Sequence, residues 1–346
     1  MASAATSRPP GRLRDPGGDP YLSIQSLRAL AAVSVAIYHA FQWRDGGFEA
    51  GRAGVDVFFV ISGFIMWTIT AGRPARPGAF LWRRFTRVAP TYWLITLGLA
   101  GMALAWPMFL PQVSAGWRHV LLSMAFIPHL DRLGVPFPVL PPGWTLNYEA
   151  VFYLLFTLGL FLREQARIVL VTLALFGVGI LGMLIPPTYQ MGANFMMAEF
   201  AGGLWLGKLA HDGVLPGRLA GGLLLGAALA IFAVTNQTDF GDSLLRPLLW
   251  GVPAVVLVCG AVTLETAGHW PRWRWLKAVG DASYSIYLCH VPATALVAHA
   301  MGAAPLALFI PAAIAASVGA GMLCRAFVER PLLALLRGGA RTVVAV

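Results

Sequence analysis

Apolar residues along this chain come in long blocks rather than narrow stripes. About ten runs of roughly 20 residues, centred near 32, 63, 97, 154, 176, 202, 226, 255, 291 and 316, alternate with short polar stretches. A helix rises about 1.5 Å per residue, so each run can cross the roughly 30 Å hydrocarbon core of a bilayer. The pattern predicts an all-α integral membrane protein of about ten transmembrane helices. An eleventh run, 117–130, is too short to cross and leads into a Pro-rich stretch ending at Pro142. A re-entrant or interfacial segment is expected there, returning to the side it came from.

Composition agrees with the blocks. With 58% hydrophobic and 12% charged residues and a mean hydropathy of +0.70, the chain carries more apolar surface than a soluble core could bury. A formal net charge of +10 would suit nucleic acid. The apolar blocks interrupt the charges throughout, however, so no continuous basic face can form. Orientation explains them better: with the N-terminus inside, the leader, the 72–87, 163–167, 208–218 and 265–280 loops and the tail hold about nineteen of the 25 Lys and Arg. Both termini are therefore expected in the cytoplasm. Residues 1–20 read as a disordered leader, 21–330 as one membrane domain, and 331–346 as a short basic tail. Cys259, Cys289 and Cys324 are odd in number and sit in apolar runs, which suggests neither a disulfide framework nor a metal site.

A charge in hydrocarbon costs several kcal/mol unless it is paired or wet, so ionisable residues within the blocks are candidates for chemistry. Arg28 and His39 share the first block. Their spacing returns to within about 20° of one helix face and separates them by about 16 Å. This suits a path across the membrane, with Arg28 in the cytoplasmic half and His39 in the outer half. In the plainer alternative Arg28 snorkels to the inner headgroups and His39 is a hydrogen-bonded packing residue. Asp56 opens the second block near the outer surface, where it either orients the His39 imidazole or caps its own helix. Glu149, in Trp144-Thr145-Leu146-Asn147-Tyr148-Glu149, begins the fourth block on the same outer side. Thr145 and Tyr148 do not make a capping box, which favours a substrate or catalytic contact for Glu149. Glu199 and His290 lie deeper, where interhelical hydrogen bonding would suffice.

The 72–87 loop contains Arg73, Arg76, Arg83, Arg84 and Arg87 and no acid. Arg84 and Arg87, at i and i+3, could clamp phosphates at the mouth of the third helix. Ordinary anchoring on anionic lipids is the alternative. The ninth block opens with Asp281 as an expected N-cap, followed by Tyr284, Tyr287 and His290 at i, i+3 and i+6. That polar stripe either lines a cofactor tunnel or joins helices. No Walker A loop, Gly-rich dinucleotide loop, nucleophile elbow or metal-ligand cluster occurs, so no metal is expected.

In order, Ser26-Leu27-Arg28-Ala29-Leu30-Ala31-Ala32 running on to Tyr38-His39, Gly54 to Phe64, Arg84 to Arg87 with Pro90, Tyr92 and Trp93, Trp144 to Glu149, and Ser283 to His290 resemble the motifs of the acyltransferase 3 family. These are multipass bacterial membrane proteins that O-acylate carbohydrates. The resemblance covers nearly the whole chain. Ile24-Gln25-Ser26-Leu27-Arg28 and the ending Glu329-Arg330-Pro331 are most similar to the branch associated with exopolysaccharide production. It implies acetyl-CoA, or another acyl-CoA, as cytoplasmic donor and a sugar hydroxyl as acceptor at the outer face of the bacterial inner membrane. Membrane lipids and polysaccharide-biosynthesis proteins are the expected neighbours. Arg28, His39, Arg84 and Arg87 carry over as functional positions.

The combined expectation is a catalytic group of His39, Arg28, Asp56 and Glu149, with Arg83, Arg84, Arg87, Tyr284, Tyr287 and His290 holding the donor. His39 would act as general base or as a transient acyl-imidazole. Only about twenty residues follow the tenth block, so transfer is expected to be completed by the membrane domain or by a separate partner. The rival readings are acylation of a lipid or small metabolite, and transport of an unmodified sugar or lipid.

Overall fold

The computed structural model describes residues 21–44, 46–74, 76–108, 113–186, 194–238, 240 and 245–342, with side chains to 336. The expected leader 1–20 and residues 343–346 of the expected tail lie outside the residues so described. Within them the protein is helical and has no strand. The helices are α1 (Leu22–Gln42), α2 (Ala53–Thr70), α3 (Pro77–Ala105), α4 (Trp117–Met124), α5 (Trp144–Gly159), α6 (Glu164–Gly182), α7 (Met197–His211), α8 (Arg218–Val234), α9 (Val252–Thr266), α10 (Arg274–Asp281), α11 (Ser283–Met301), α12 (Leu306–Cys324) and α13 (Arg330–Thr342). Seven helical stretches among the described residues are long and apolar enough to cross a membrane. The blocks expected near 154, 202 and 291 correspond to α5, α7 and α11, of 16, 15 and 19 residues.

Two boundaries differ from the sequence reading, each for a local reason. Pro77 starts α3, because its fixed φ suits a first helical turn. The arginines at 83, 84 and 87 therefore ride on a 29-residue helix and not on a loop. Asp281 ends α10 and does not cap α11; its carboxylate pairs with Lys277 at 3.0 Å and Arg325 at 3.6 Å. The short α4 lies against α3, where Tyr92 and Trp93 donate to the carbonyls of Ser123 and Met124. The segment entering α5 is buried: Val139 and Leu140 are enclosed, and the turn Pro141–Gly143 leads into the helix below the bundle surface.

α2 forms the centre, with 67% of its span buried against 11% for α8 at the periphery. The outward side chains of α8, such as Leu219 and Leu223, are exposed, as expected of a lipid-facing helix. Phe200 of α7 joins α2 and α5 by stacking on Phe59 at 4.5 Å and on Phe152 at 4.4 Å. The α2–α7 contact is backbone on backbone. A Cβ at Gly63 would fall 2.1 Å from the Phe200 carbonyl oxygen, and one at Gly203 2.0 Å from that of Val60. Small residues that let backbones meet replace the hydrophobic drive that lipid does not supply. The first turn of α1 is held from outside: Glu265 of α9 accepts from the amides of Leu22 and Ser23 at 2.9 and 2.7 Å and from the Ser23 hydroxyl at 2.6 Å. That capping sets the depth of α1, and with it of Arg28 and His39.

Gly63→Leu and Gly203→Leu should each destabilise the fold by about 1–3 kcal/mol through overpacking. The check is thermal unfolding of the detergent-solubilised protein, and melting temperatures equal to the parent would disprove the backbone contact.

Candidate active site

Two cavities meet at the middle of the bundle. The first, about 100 Å³, is lined by Arg28 from α1, Ser62 from α2, Arg84 and Arg87 from α3, Glu149 and Tyr153 from α5, and Tyr284 and Tyr287 from α11. The second, about 330 Å³, is lined by Tyr38 and His39 from α1, Arg52, Trp144 and Tyr148 from α5, Arg246, and again Tyr287. Val55 and Tyr287 belong to both walls. Phe58 braces this partition, its ring edge-on to Tyr287 at 5.8 Å.

Helical phase explains the sorting of side chains. On α5, Trp144 and Tyr148 are one turn apart and face the histidine cavity, whereas Thr145, Glu149 and Tyr153 recur at four-residue steps on the arginine side. Glu149, expected on the same outer side as His39, thus lines a different cavity from it. The buried entry to α5 draws it inward, where it accepts from Ser62 Oγ at 3.3 Å and from the Tyr153 hydroxyl. On α3, Arg84 and Arg87 face the first cavity together. Arg83, about 100° round the helix from Arg84, is exposed and outside the cavity. It leaves the expected donor-holding group.

Arg28 reaches the first cavity and donates from Nε to Ser283 Oγ at 3.1 Å. Tyr284 donates to the Val88 carbonyl at 2.7 Å, tying α11 to α3. A third, mostly apolar cavity of about 530 Å³ between α3, α4 and α5 shares Arg84, Glu149 and Tyr153 with the first.

Asp56 is not the partner of His39. α2 meets α1 through Gly54, where a Cβ would lie 2.5 Å from the Ala31 carbonyl oxygen. Two residues on is about 200° round the helix, so Asp56 points away from α1. It takes both ends of a guanidinium fork from Arg246: Nε at 3.3 Å and Nη2 at 2.9 Å, with both side chains buried. Glu199 of α7 lies against the same pair. Nothing at position 246 or its neighbours announces this contact, which spans 190 residues.

The partner of His39 is His290, which packs on it with ring centroids 4.8 Å apart. A carbonyl oxygen can only accept, so the 2.6 Å contact of His290 Nδ1 with Tyr287 O places a proton on that nitrogen. By the same argument His39 Nδ1, 3.0 Å from Val35 O, carries a proton, and His290 Nε2 at 3.2 Å is its second acceptor. In the neutral ring the lone pair of His39 is then on Nε2. The stripe Tyr284, Tyr287, His290 therefore divides: two tyrosines on the arginine cavity, one histidine behind His39.

Residues 21–326 match the acyltransferase 3 family, described as an acyltransferase domain. The chain is 35% identical over 319 residues to the exopolysaccharide production protein ExoZ of Rhizobium meliloti, covering 89% of this chain and 97% of that one. It is 25% identical over 310 residues to the peptidoglycan O-acetyltransferase OatA of Listeria monocytogenes, covering 78% of this chain and 49% of that one, so the match spans about half of OatA. No solved structure matches the chain.

Because the ion pair is buried, breaking it should cost far more than replacing it. Asp56→Leu alone is expected to destabilise by about 3–5 kcal/mol, and Asp56→Leu with Arg246→Met to restore much of the loss. Thermal unfolding of the single and double variants decides this; an undiminished loss in the double variant would point to a role other than mutual neutralisation.

Proposed function

The chain belongs to the acyltransferase 3 family and is a multipass membrane O-acyltransferase, and on that premise we propose that it moves an acetyl or other short acyl group from cytoplasmic acyl-CoA to a glycan hydroxyl at the outer face of the inner membrane. The proposed frame has about ten crossings with both termini inside, as the excess of Lys and Arg on the short loops of one side supports. The observation that carries the reading is the pair of cavities on the two sides of Val55 and Tyr287, one lined by guanidinium groups and one by a histidine. Arg84, Arg87 and Arg28 suit the phosphates of the donor, since guanidinium forks bind phosphate oxygens in pairs. Tyr284 and Tyr287 would flank the thioester arm as it passes inward. The acceptor is proposed to be an exopolysaccharide or another cell-surface glycan, consistent with the relatives' names.

In this mechanism the glycan hydroxyl enters the second cavity and gives its proton to His39 Nε2 as its oxygen attacks the thioester carbonyl. A carbon–oxygen bond forms and the carbon–sulfur bond breaks. The thiolate then takes the proton from the imidazolium and leaves as CoA. His39 lines the acceptor cavity and not the arginine cavity, which favours a base over an acyl carrier. Asp56 has no direct part in this scheme, and Glu149 acts on the donor side. A lipid acceptor would find room in the apolar third cavity, but that space lies with Arg84, across Tyr287 from His39.

Purified protein in nanodiscs should release free CoA from acetyl-CoA when a glycan acceptor is present; movement of unmodified glycan without CoA release would instead mark a transporter. His39→Gln should lower kcat by about 10²–10⁴-fold, and near-normal turnover in a folded variant would remove His39 from the chemistry. Arg84→Gln with Arg87→Gln should raise KM for acyl-CoA about tenfold or more while altering kcat less. Unchanged donor dependence would speak against a phosphate clamp.

A further inference from the structure

His290 touches neither cavity, is fully buried, and yet lies in direct contact with His39. We propose that His290 is a positioning residue for the transfer reaction: it holds His39 in the tautomer whose Nε2 is the base and takes a strengthened hydrogen bond when that nitrogen is protonated. The proposal rests on the acyltransferase reading of His39.

The argument is one of donors and acceptors. Tyr287 O fixes the proton of His290 on Nδ1, which leaves Nε2 an acceptor aimed at His39. His39 Nδ1–H then has two acceptors, Val35 O at 3.0 Å and His290 Nε2 at 3.2 Å. Neither can be satisfied by the other tautomer, in which Nδ1 would present a lone pair to a carbonyl oxygen and to another lone pair. That clash is costly in a bundle that offers little water. His290 is itself held, since its carbonyl receives Ser317 Oγ at 3.5 Å and its ring packs on Tyr287 at 5.5 Å. When the glycan hydroxyl gives its proton to His39 Nε2, the Nδ1–H becomes a charged donor and its bonds shorten and strengthen. The thiolate later removes the same proton, so His290 gains and loses none.

A carboxylate in this place would do the same orienting work but would also hold His39 in its charged form before substrate arrives. A neutral imidazole acceptor avoids that. Asp56 is turned to Arg246, and a histidine from α11 occupies the position behind His39.

The test uses full-length protein in nanodiscs with His290→Leu, which fills space but accepts no hydrogen bond, and His290→Gln, whose side-chain oxygen can accept one. His290→Leu should lower kcat about a hundredfold, with KM for acetyl-CoA and for the glycan within about twofold, and His290→Gln should recover at least about tenfold of that loss. Equal losses in the two variants would indicate packing alone, and wild-type kcat in His290→Leu would remove His290 from the reaction; either overturns the proposal. Carbethoxylation of His39 by diethyl pyrocarbonate, followed by peptide mass spectrometry, needs no substrate. It should be several-fold slower in His290→Leu and restored in His290→Gln. If wild-type protein transfers no acyl group, the functional reading fails while carbethoxylation still decides the histidine pair. Equal modification rates in all three proteins would sink the pair even where transfer is observed.

Discussion

The arrangement depends on how α1 is seated against α11. An apolar bundle must satisfy every polar group it encloses from within, and α1 brings Arg28 and His39 to it at different depths. α11 answers both: Ser283 meets Arg28 and His290 meets His39. Seven residues on α11 rise about 10 Å while eleven on α1 rise about 16 Å. The long, flexible arginine side chain absorbs the difference, whereas the short histidine pair cannot. At the arginine end α1 is also held by backbone contact, since a Cβ at Gly280 of α10 would lie 1.9 Å from the Gln25 carbonyl oxygen.

Around that seam the other polar contacts divide the labour. Glu265 fixes how deep α1 sits, and the glycine-lined contact of α2 with α7 brings Val55 and Phe58 to the partition. The Asp56–Arg246 pair neutralises one of the guanidinium groups that line the histidine cavity.

Much of this was legible in the chain, because lipid demands long apolar runs and tolerates a buried charge only for a reason. The run lengths place α1, α2, α3, α6, α8, α9 and α12 well. The three-residue step from Arg84 to Arg87 correctly puts both on one wall. Depth was harder. Glu149 stands at the start of its apolar block, and nothing in the Pro-rich stretch before it says that Val139 and Leu140 are buried. Arg83 looked equivalent to its neighbours until the helix was seen to begin at Pro77. Partners distant in sequence were illegible: nothing local pairs Asp56 with Arg246 or His39 with His290. Helical phase near Gly54 would have warned that Asp56 turns away from α1, had the α1–α2 contact been known.

The thin wall of Val55, Phe58 and Tyr287 has an electrical consequence. A membrane in a living cell is a charged capacitor, and an aqueous channel joining its two faces would discharge it at once. An enzyme whose reactants approach from opposite sides must still remain an insulator between turnovers. Three side chains, two of them aromatic rings set edge to face, stand between the two cavities. The tyrosine ring is then a dielectric as much as a wall, and in the proposed reaction the proton released by the hydroxyl would rest on His39 rather than pass to the opposite bulk phase.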